Sequence, residues 1–203
     1  MTINIDTYFA LNSPWAYLGN ARLEEIAQRR SCSVTMKPAK FAEVFAQTGG
    51  VPLPKRSPER QAYRMMELKR WRDHLNIPIV LTPAHSMTDH MPAIGLIFAS
   101  NDAGENTLRF YTELGRAMWE RDEDIAEASV LAAAVERAGL DTAALEAHAV
   151  SAEDLAERLE QNTGEAIAAG VFGAPSYVLP DGEIFWGQDR IAFLDRAIEK
   201  LQA

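Results

Sequence analysis

The chain of 203 residues has a single cysteine, Cys32. No intrachain disulfide can form, and no second thiol is available for a disulfide redox cycle. Cys32 alternates with Val34 and Met36 on one side of a predicted strand over residues 31–37. We therefore expect a buried apolar thiol here rather than a nucleophile, because free cysteine is among the most buried residue types.

Positive charge and long apolar runs are also scarce. The formal net charge is -9 and the sequence pI is about 5.0, which argues against a nucleic-acid backbone or an anionic membrane surface as the main partner. No apolar run approaches the length that spans a bilayer, and the first residues lack the basic and apolar regions of a signal peptide. We expect a cytoplasmic protein with a small-molecule partner, binding neither nucleic acid nor a membrane.

Several familiar site signatures are missing. The four histidines form no ligand set with nearby residues, and the sequence has no Walker loop, no Rossmann glycine fingerprint and no Gly-x-Ser-x-Gly elbow. We therefore expect no metal site. Neither a phosphate cofactor nor serine hydrolysis is indicated.

The order of predicted elements has three parts. An alternating strand pattern over 3–9 leads into a helical stripe from residue 16 and then into the strand at 31–37. A long region of helical composition follows, with helices predicted at 58–75, 92–99, 105–119, 125–138 and 152–169. The turn Pro180-Asp181-Gly182 lies between two β-prone runs and predicts a hairpin, which a last amphipathic helix follows. The order is β-α-β, helical insertion, β-β-α.

Three separated segments carry polar groups or prolines at element ends. Ser13-Pro14 stands where the first helix begins, Ala174-Pro175 directly precedes the third strand, and Asp189 lies at the start of the last helix. Each has a purely structural explanation, such as helix capping or a proline at a strand start. The Ser13 hydroxyl would nevertheless lie among unpaired helix N–H groups, which favour an anion.

Taken together with the element order, these segments resemble the 2-hydroxychromene-2-carboxylate isomerase family. That family is related to the kappa-class glutathione transferases and to the DsbA-like disulfide oxidoreductases. The resemblance implies an α/β fold, with a thioredoxin-like β-α-β / β-β-α core (residues 1–55 and 170–203) and an inserted all-helical domain (56–169). The last helix of that insertion is expected to pack back on the sheet.

The resemblance also implies glutathione as the cofactor. It identifies Ser13 as the serine that this family has in place of the redox cysteine of the Cys-x-x-Cys motif, where the hydroxyl is expected to donate to the glutathione sulfur. Pro175 matches the family's cis-proline, and the backbone of Ala174 is expected to pair with the cysteinyl part of glutathione. Gln188 and Asp189 match the residues that hold the γ-glutamyl end.

Further contacts are predicted around these residues. Trp186 is expected to contact glutathione and, with Trp15 and Tyr17, to form an aromatic wall for the second substrate. That substrate would bind in a cleft between the core and the helical insertion. Three cations are candidates for binding carboxylate groups of the substrate or of glutathione: Lys40, Lys55 and Arg56.

Two positions depart from the family pattern. Gly50, which we include in the predicted glutathione site, stands where many members carry Asn, and Ala10 stands where many carry Asp. Both departures leave the identity of the substrate open.

Three functions fit these residues. The first is a glutathione-dependent cis–trans isomerase of 2-hydroxychromene-2-carboxylate-like aromatic keto acids, acting by reversible thiolate addition. The second is a kappa-like glutathione S-transferase, and the third is a non-catalytic thioredoxin-fold protein that binds an extended peptide. Family members are often dimers, so the resemblance implies a homodimer.

Overall fold

A computed structural model describes residues 2–203. Strand β1 (Asn4–Phe9) and strand β2 (Ser33–Pro38) run parallel and are joined by helix α1 (Pro14–Arg30). Strands β3 (Ser176–Val178) and β4 (Ile184–Trp186) are antiparallel and complete a sheet of order β2-β1-β3-β4. This confirms the predicted β-α-β and β-β-α parts.

The chain between β2 and β3 is helical. Its α-helices are α2 (Phe41–Thr48), α3 (Pro58–Leu75), α4 (Met91–Asp102), α5 (Thr107–Trp119), α6 (Ala128–Ala138), α7 (Thr142–Ala147) and α8 (Ala152–Ala168). Short 3₁₀ turns occur at Leu53–Lys55, before α3, and at Gln188–Arg190, before the last helix, α9 (Ile191–Gln202).

Capping residues fix the ends of the two helices nearest the candidate site. Helix α3 begins after Ser57, whose side chain accepts a hydrogen bond from the Arg60 N–H, and ends at Asn76 in the left-handed conformation. Helix α1 ends at Ser31, also left-handed with φ 53°. Strand β2 therefore begins two residues later than the predicted residue 31.

The burial of Cys32 differs from the expectation of a fully buried thiol on a strand. The residue precedes β2 and is half-buried rather than fully buried, although it packs against the main apolar core as its alternation with Val34 and Met36 indicates. Burial raises the pKa of its thiol, and the positive charge of Arg30 opposes that shift only in part. The thiol is thus less ionised than a free cysteine, as a structural role requires.

Both faces of the sheet are covered. Ile5 and Phe9 of β1 point into the main core, which α1 and α5 share. Tyr8 points to the other face and packs with Val44 of α2 and Ala166 of α8. Alternate residues of one strand therefore meet different helices, as the pleat requires.

Helix α8 lies against the sheet. Its Asn162 side chain donates to the Pro38 carbonyl at 3.1 Å, and Glu165 pairs with Lys37 at 2.8 Å. The main core runs without a break from the strands into α4, α5 and α6. Because one core joins sheet and helices, the domain boundaries at 55/56 and 169/170 stay a prediction.

Candidate functional site

The register of the sheet gathers three chain segments at one end. Ser176, the first residue of β3, pairs with Tyr8 near the end of β1 and with Trp186 at the end of β4. The Gly187 N–H then donates to the Pro175 carbonyl at 2.9 Å. The segments that leave β1, enter β3 and leave β4 consequently meet at the same edge.

Ser13 is the N-cap of α1 at this edge. Its Oγ accepts a hydrogen bond from the Ala16 N–H at 3.3 Å, and its own N–H donates to the Ala10 carbonyl at 2.9 Å. Within residues 2–203 the Ser13 hydroxyl proton has no acceptor. The N–H of Trp15 lies in the first turn, where the helix offers it no carbonyl. These donors and the positive end of α1 favour a negatively charged ligand atom.

Ala174 offers unpaired backbone beside Ser176. The Ala174–Pro175 peptide bond is cis. Among the described residues, neither the N–H nor the C=O of Ala174 has a backbone partner, and the residue is only half-buried. Because a buried or half-buried backbone group is normally paired, this segment can accept an extended peptide as an added strand.

The 3₁₀ turn Gln188–Arg190 forms the third part of the edge. Gly187 holds φ 99°, and a Cβ there would lie 2.5 Å from the Asp189 Oδ1. Gln188 is buried and its Oε1 accepts from Arg22, while the exposed Asp189 carboxylate accepts from Arg190 at 2.6 Å. The turn thus presents a carboxylate next to a group of backbone donors.

A cleft of about 500 Å³ separates this edge from α3. Ala174 and the segment 186–190 form one wall, and α3 forms the other. Phe172 stacks edge-on against Trp186, with 4.8 Å between ring centroids. Four aromatic side chains line the cleft: Trp15, Tyr63, Trp71 and Trp186.

Arginines from several elements converge on the cleft. Arg22 of α1 donates to Gln188, and its guanidinium lies 5.5 Å from the centroid of the Trp71 ring. Burial lowers the pKa of Arg22. Arg22 lies behind the cleft lining, whose own arginines are Arg56, Arg60, Arg64 and Arg190.

Comparisons with known proteins identify the family of this chain. A family model described as a DSBA-like thioredoxin domain matches residues 4–199. The chain is 32% identical over 200 residues to 2-hydroxychromene-2-carboxylate isomerase of Pseudomonas putida, covering 97% of this chain and 95% of that protein. The chain belongs to the 2-hydroxychromene-2-carboxylate isomerase family, within the DSBA-like thioredoxin proteins.

Other relatives extend the comparison. A solved structure of a 2-hydroxychromene-2-carboxylate isomerase is 29% identical, with a TM-score of 0.76, and covers 98% of this chain and 95% of that one. Glutathione S-transferase kappa 1 of Rattus norvegicus is 26% identical over 201 residues, covering 94% of this chain and 88% of that protein. The expected DsbA-like thioredoxin fold is confirmed.

In this member of the 2-hydroxychromene-2-carboxylate isomerase family, two of the predicted substrate residues lie away from the cleft lining. Tyr17 is buried and its hydroxyl donates to Glu120, because α1 packs its ring against Gly115 of α5. Burial, and then the Glu120 carboxylate, raise the pKa of Tyr17, so the phenol stays neutral. Lys40 is the N-cap residue of α2 but makes no side-chain capping bond; its ammonium pairs instead with Glu160 of α8, outside the cleft lining.

Two more predicted residues also lie outside the cleft lining. Lys55 is exposed in the 3₁₀ turn, whereas its neighbour Arg56 does line the cleft. Gly50 follows α2, and a Cβ there would lie 2.3 Å from the Phe45 ring. Gly50 therefore supports close packing beneath α2 instead of contributing to the cleft.

Most of the residues on the α3 wall were not predicted from the sequence. Arg60, Arg64 and Trp71 line the cleft, and none was among the predicted site residues. The signal was present, because residues 60, 63, 64, 67 and 71 share one face of a helix predicted at 58–75. That face carries arginines and aromatics where an ordinary buried face would carry aliphatic residues.

Two kinds of feature are absent from the described chain. No group of three or more His, Cys, Asp or Glu side chains within residues 2–203 is arranged to hold a metal ion. In the same residues, no helix combines the length and apolar character needed to cross a bilayer.

Proposed function

We propose that this chain is a glutathione-dependent cis–trans isomerase of 2-hydroxychromene-2-carboxylate-like aromatic keto acids. The observation that carries the proposal is that the segments carrying Ser13, Ala174 and the turn Gln188–Arg190 meet at one edge of the sheet, beside an aromatic cleft that Trp15, Ala174 and the turn line. The isomerases among its relatives support the reaction, and the kappa transferase relatives support the cofactor.

The edge has the chemistry that an extended tripeptide with a thiol needs. The free N–H and C=O of Ala174 match the backbone of a cysteinyl residue. The Asp189 carboxylate suits an α-ammonium group, and the N–H groups of the turn suit an α-carboxylate. A ligand held at these two places would bring its central side chain towards the N-terminus of α1.

Ser13 would then stabilise the ligand's sulfur as a thiolate. Its hydroxyl donates a hydrogen bond and the positive end of α1 adds an electrostatic contribution, and both favour the charged form. When bound, glutathione would supply a thiolate whose electron pair forms a carbon–sulfur bond to the conjugated alkene and is recovered when that bond breaks after rotation. No oxidant, reductant or net proton is consumed.

The chain's own thiol cannot take this role. Cys32 precedes β2, whose first residue pairs with Asn4 at the opposite end of β1 from Ser13. Six strand residues at about 3.3 Å each put the two ends roughly 20 Å apart. The sulfur must therefore come from a ligand.

Two other functions remain alternatives. A kappa-like glutathione S-transferase would use the same edge and release a stable conjugate, and the 26% identity to the rat transferase favours it. A non-catalytic peptide-binding protein is favoured by the unpaired backbone of Ala174. The cytoplasmic location and the homodimer that the resemblance implies stay predictions.

A spectrophotometric isomerisation assay tests the proposal. The rate with 2-hydroxychromene-2-carboxylate or a benzylidene pyruvate is measured with glutathione, without it, and with S-methylglutathione, which lacks a free thiol. We expect turnover only with glutathione, and mass analysis should show no accumulating conjugate. A conjugate as the main product indicates the transferase, and equal rates without glutathione contradict the proposal.

A further inference from the structure

Among the residues that the structure describes, Arg64 has no acidic partner. It lies on the cleft face of α3, half-buried, and its one side-chain hydrogen bond within residues 2–203 is a 3.9 Å contact with the Met65 sulfur. Burial, and then the nearby charge of Arg56, lower the pKa of the Arg64 guanidinium. A guanidinium presents several fixed donors, so most of the hydrogen-bonding capacity of this cleft-lining side chain is unused within residues 2–203.

Among the described residues, some of the other charges that line the cleft have ion-pair partners, whereas the exposed Glu59 and Arg60 have none. Arg190 pairs with Asp189 at 2.6 Å, and Glu67 pairs with Arg70. Arg56 donates to the Val51 carbonyl at 2.8 Å but has no carboxylate partner among the described residues. Arg56 and Arg64 are the two half-buried arginines of this wall, and neither has a carboxylate partner within residues 2–203, so an anion between them would stabilise both.

The neighbours of Arg64 indicate what kind of anion. Tyr63 precedes it on α3, Trp71 lies two helical turns further along, and Trp186 lines the same cleft. Aromatic rings beside an unpaired guanidinium suit a planar aromatic acid, because the ring buries apolar area while the carboxylate accepts two parallel hydrogen bonds.

We propose that Arg64, assisted by Arg56, binds the carboxylate of the aromatic second substrate and so selects acids over neutral analogues. This inference rests on the proposed function and adds the residue that recognises the substrate. Glutathione carries two carboxylates: the γ-glutamyl one has its proposed contacts on the opposite wall, at Gln188–Arg190, and the glycyl one has no assigned partner, so the experiment below also measures glutathione binding. The aromatic rings around Arg64 assign it to the second ligand.

Calorimetric titration with two inert probes tests this assignment. Cinnamate carries an aromatic ring, a conjugated alkene and a carboxylate, and cinnamamide is its neutral analogue. We expect Arg64→Met to weaken cinnamate binding on the order of tenfold or more, because a charge-assisted bidentate contact is lost. Cinnamamide binding and glutathione binding should change less than twofold, and Arg64→Lys should restore cinnamate binding in part.

Lys69→Met is the matched control. Lys69 is an exposed cation on α3 that does not line the cleft, so the substitution removes the same formal charge from the same helix. An equal loss of cinnamate affinity in this variant would overturn the assignment, as would no saturable binding of cinnamate to the unaltered protein.

The titrations also separate the two proposals. If Arg64→Met weakens glutathione and leaves cinnamate unchanged, Arg64 serves glutathione and the inference is wrong while the proposed function stands. If the unaltered protein does not bind glutathione, the proposed function fails. The comparison of cinnamate with cinnamamide still decides the role of Arg64 in that case.

Discussion

Replacing Ser13 with alanine should raise the pKa of the bound glutathione thiol by about one unit. A hydrogen bond to a charged group contributes roughly 1.5–3 kcal/mol, and water recovers part of it because Ser13 is only half-buried. One pKa unit corresponds to about 1.4 kcal/mol. The positive end of α1 remains in the variant, so the pKa should stay below that of free glutathione.

The assay is the ultraviolet absorbance of the thiolate as a function of pH, with the protein saturated by glutathione. A Cys32→Ser background removes the chain's own thiol from the signal. Ser13→Thr should keep the low pKa because it keeps the hydroxyl. An unchanged titration curve in Ser13→Ala would refute a role for this hydroxyl.

Ser151→Ala separates the site effect from the loss of a helix cap. The Ser151 Oγ accepts from the Asp154 N–H at 3.1 Å at the start of α8, a cap much like that of Ser13. Both variants should lose about 1 kcal/mol of unfolding free energy. Only Ser13→Ala should move the thiol pKa.

Three further perturbations have defined outcomes. Asp189→Ala should weaken glutathione binding by about tenfold in a calorimetric titration, since a charge-assisted contact to the ammonium is lost, while the thiol pKa changes little. Gly173→Ala would put a Cβ 2.3 Å from the Trp186 Nε1; it should displace that ring, shift tryptophan emission, and lower the unfolding free energy by about 1–3 kcal/mol. Burial lowers the pKa of His90 below its ordinary 6.5, although Asp89 and Asp124 oppose the shift. The unfolded state therefore binds this proton more readily than the folded state, so the free energy of unfolding decreases as the pH falls below 6.5. In urea unfolding, His90→Gln should lose less of this free energy on acidification than the unaltered protein. The same loss in both proteins would contradict this assignment.

Element ends that carry strong local signals were predictable. Helix α3 has the predicted bounds because Ser57 and Pro58 give the chain a capped start and Asn76 ends it. Helix α2 was not predicted, because it is short and its first turn has no side-chain cap at Lys40. Local propensity is weak there, and packing of Val44 against the sheet stabilises the helix.

The placement of the candidate residues was predictable where they lie at element ends. Ser13, Pro175 and Asp189 do so, and the order of the strands brings the segments that carry them to one edge of the sheet. Tyr17 and Lys40 do not reach the cleft, since the direction of a side chain depends on the partner that the fold supplies: Glu120 for the phenol and Glu160 for the ammonium. Long-range partners of this kind leave no trace in local sequence.

The two walls of the cleft differ in how mutation can alter them. The groups that Ala174 presents belong to the main chain, so an ordinary side-chain replacement there leaves the donor and the acceptor in place. Helix α3 contributes side chains, each of which a single codon change can replace. Descendants of such a scaffold can therefore keep one ligand and exchange the other by evolving a single helix.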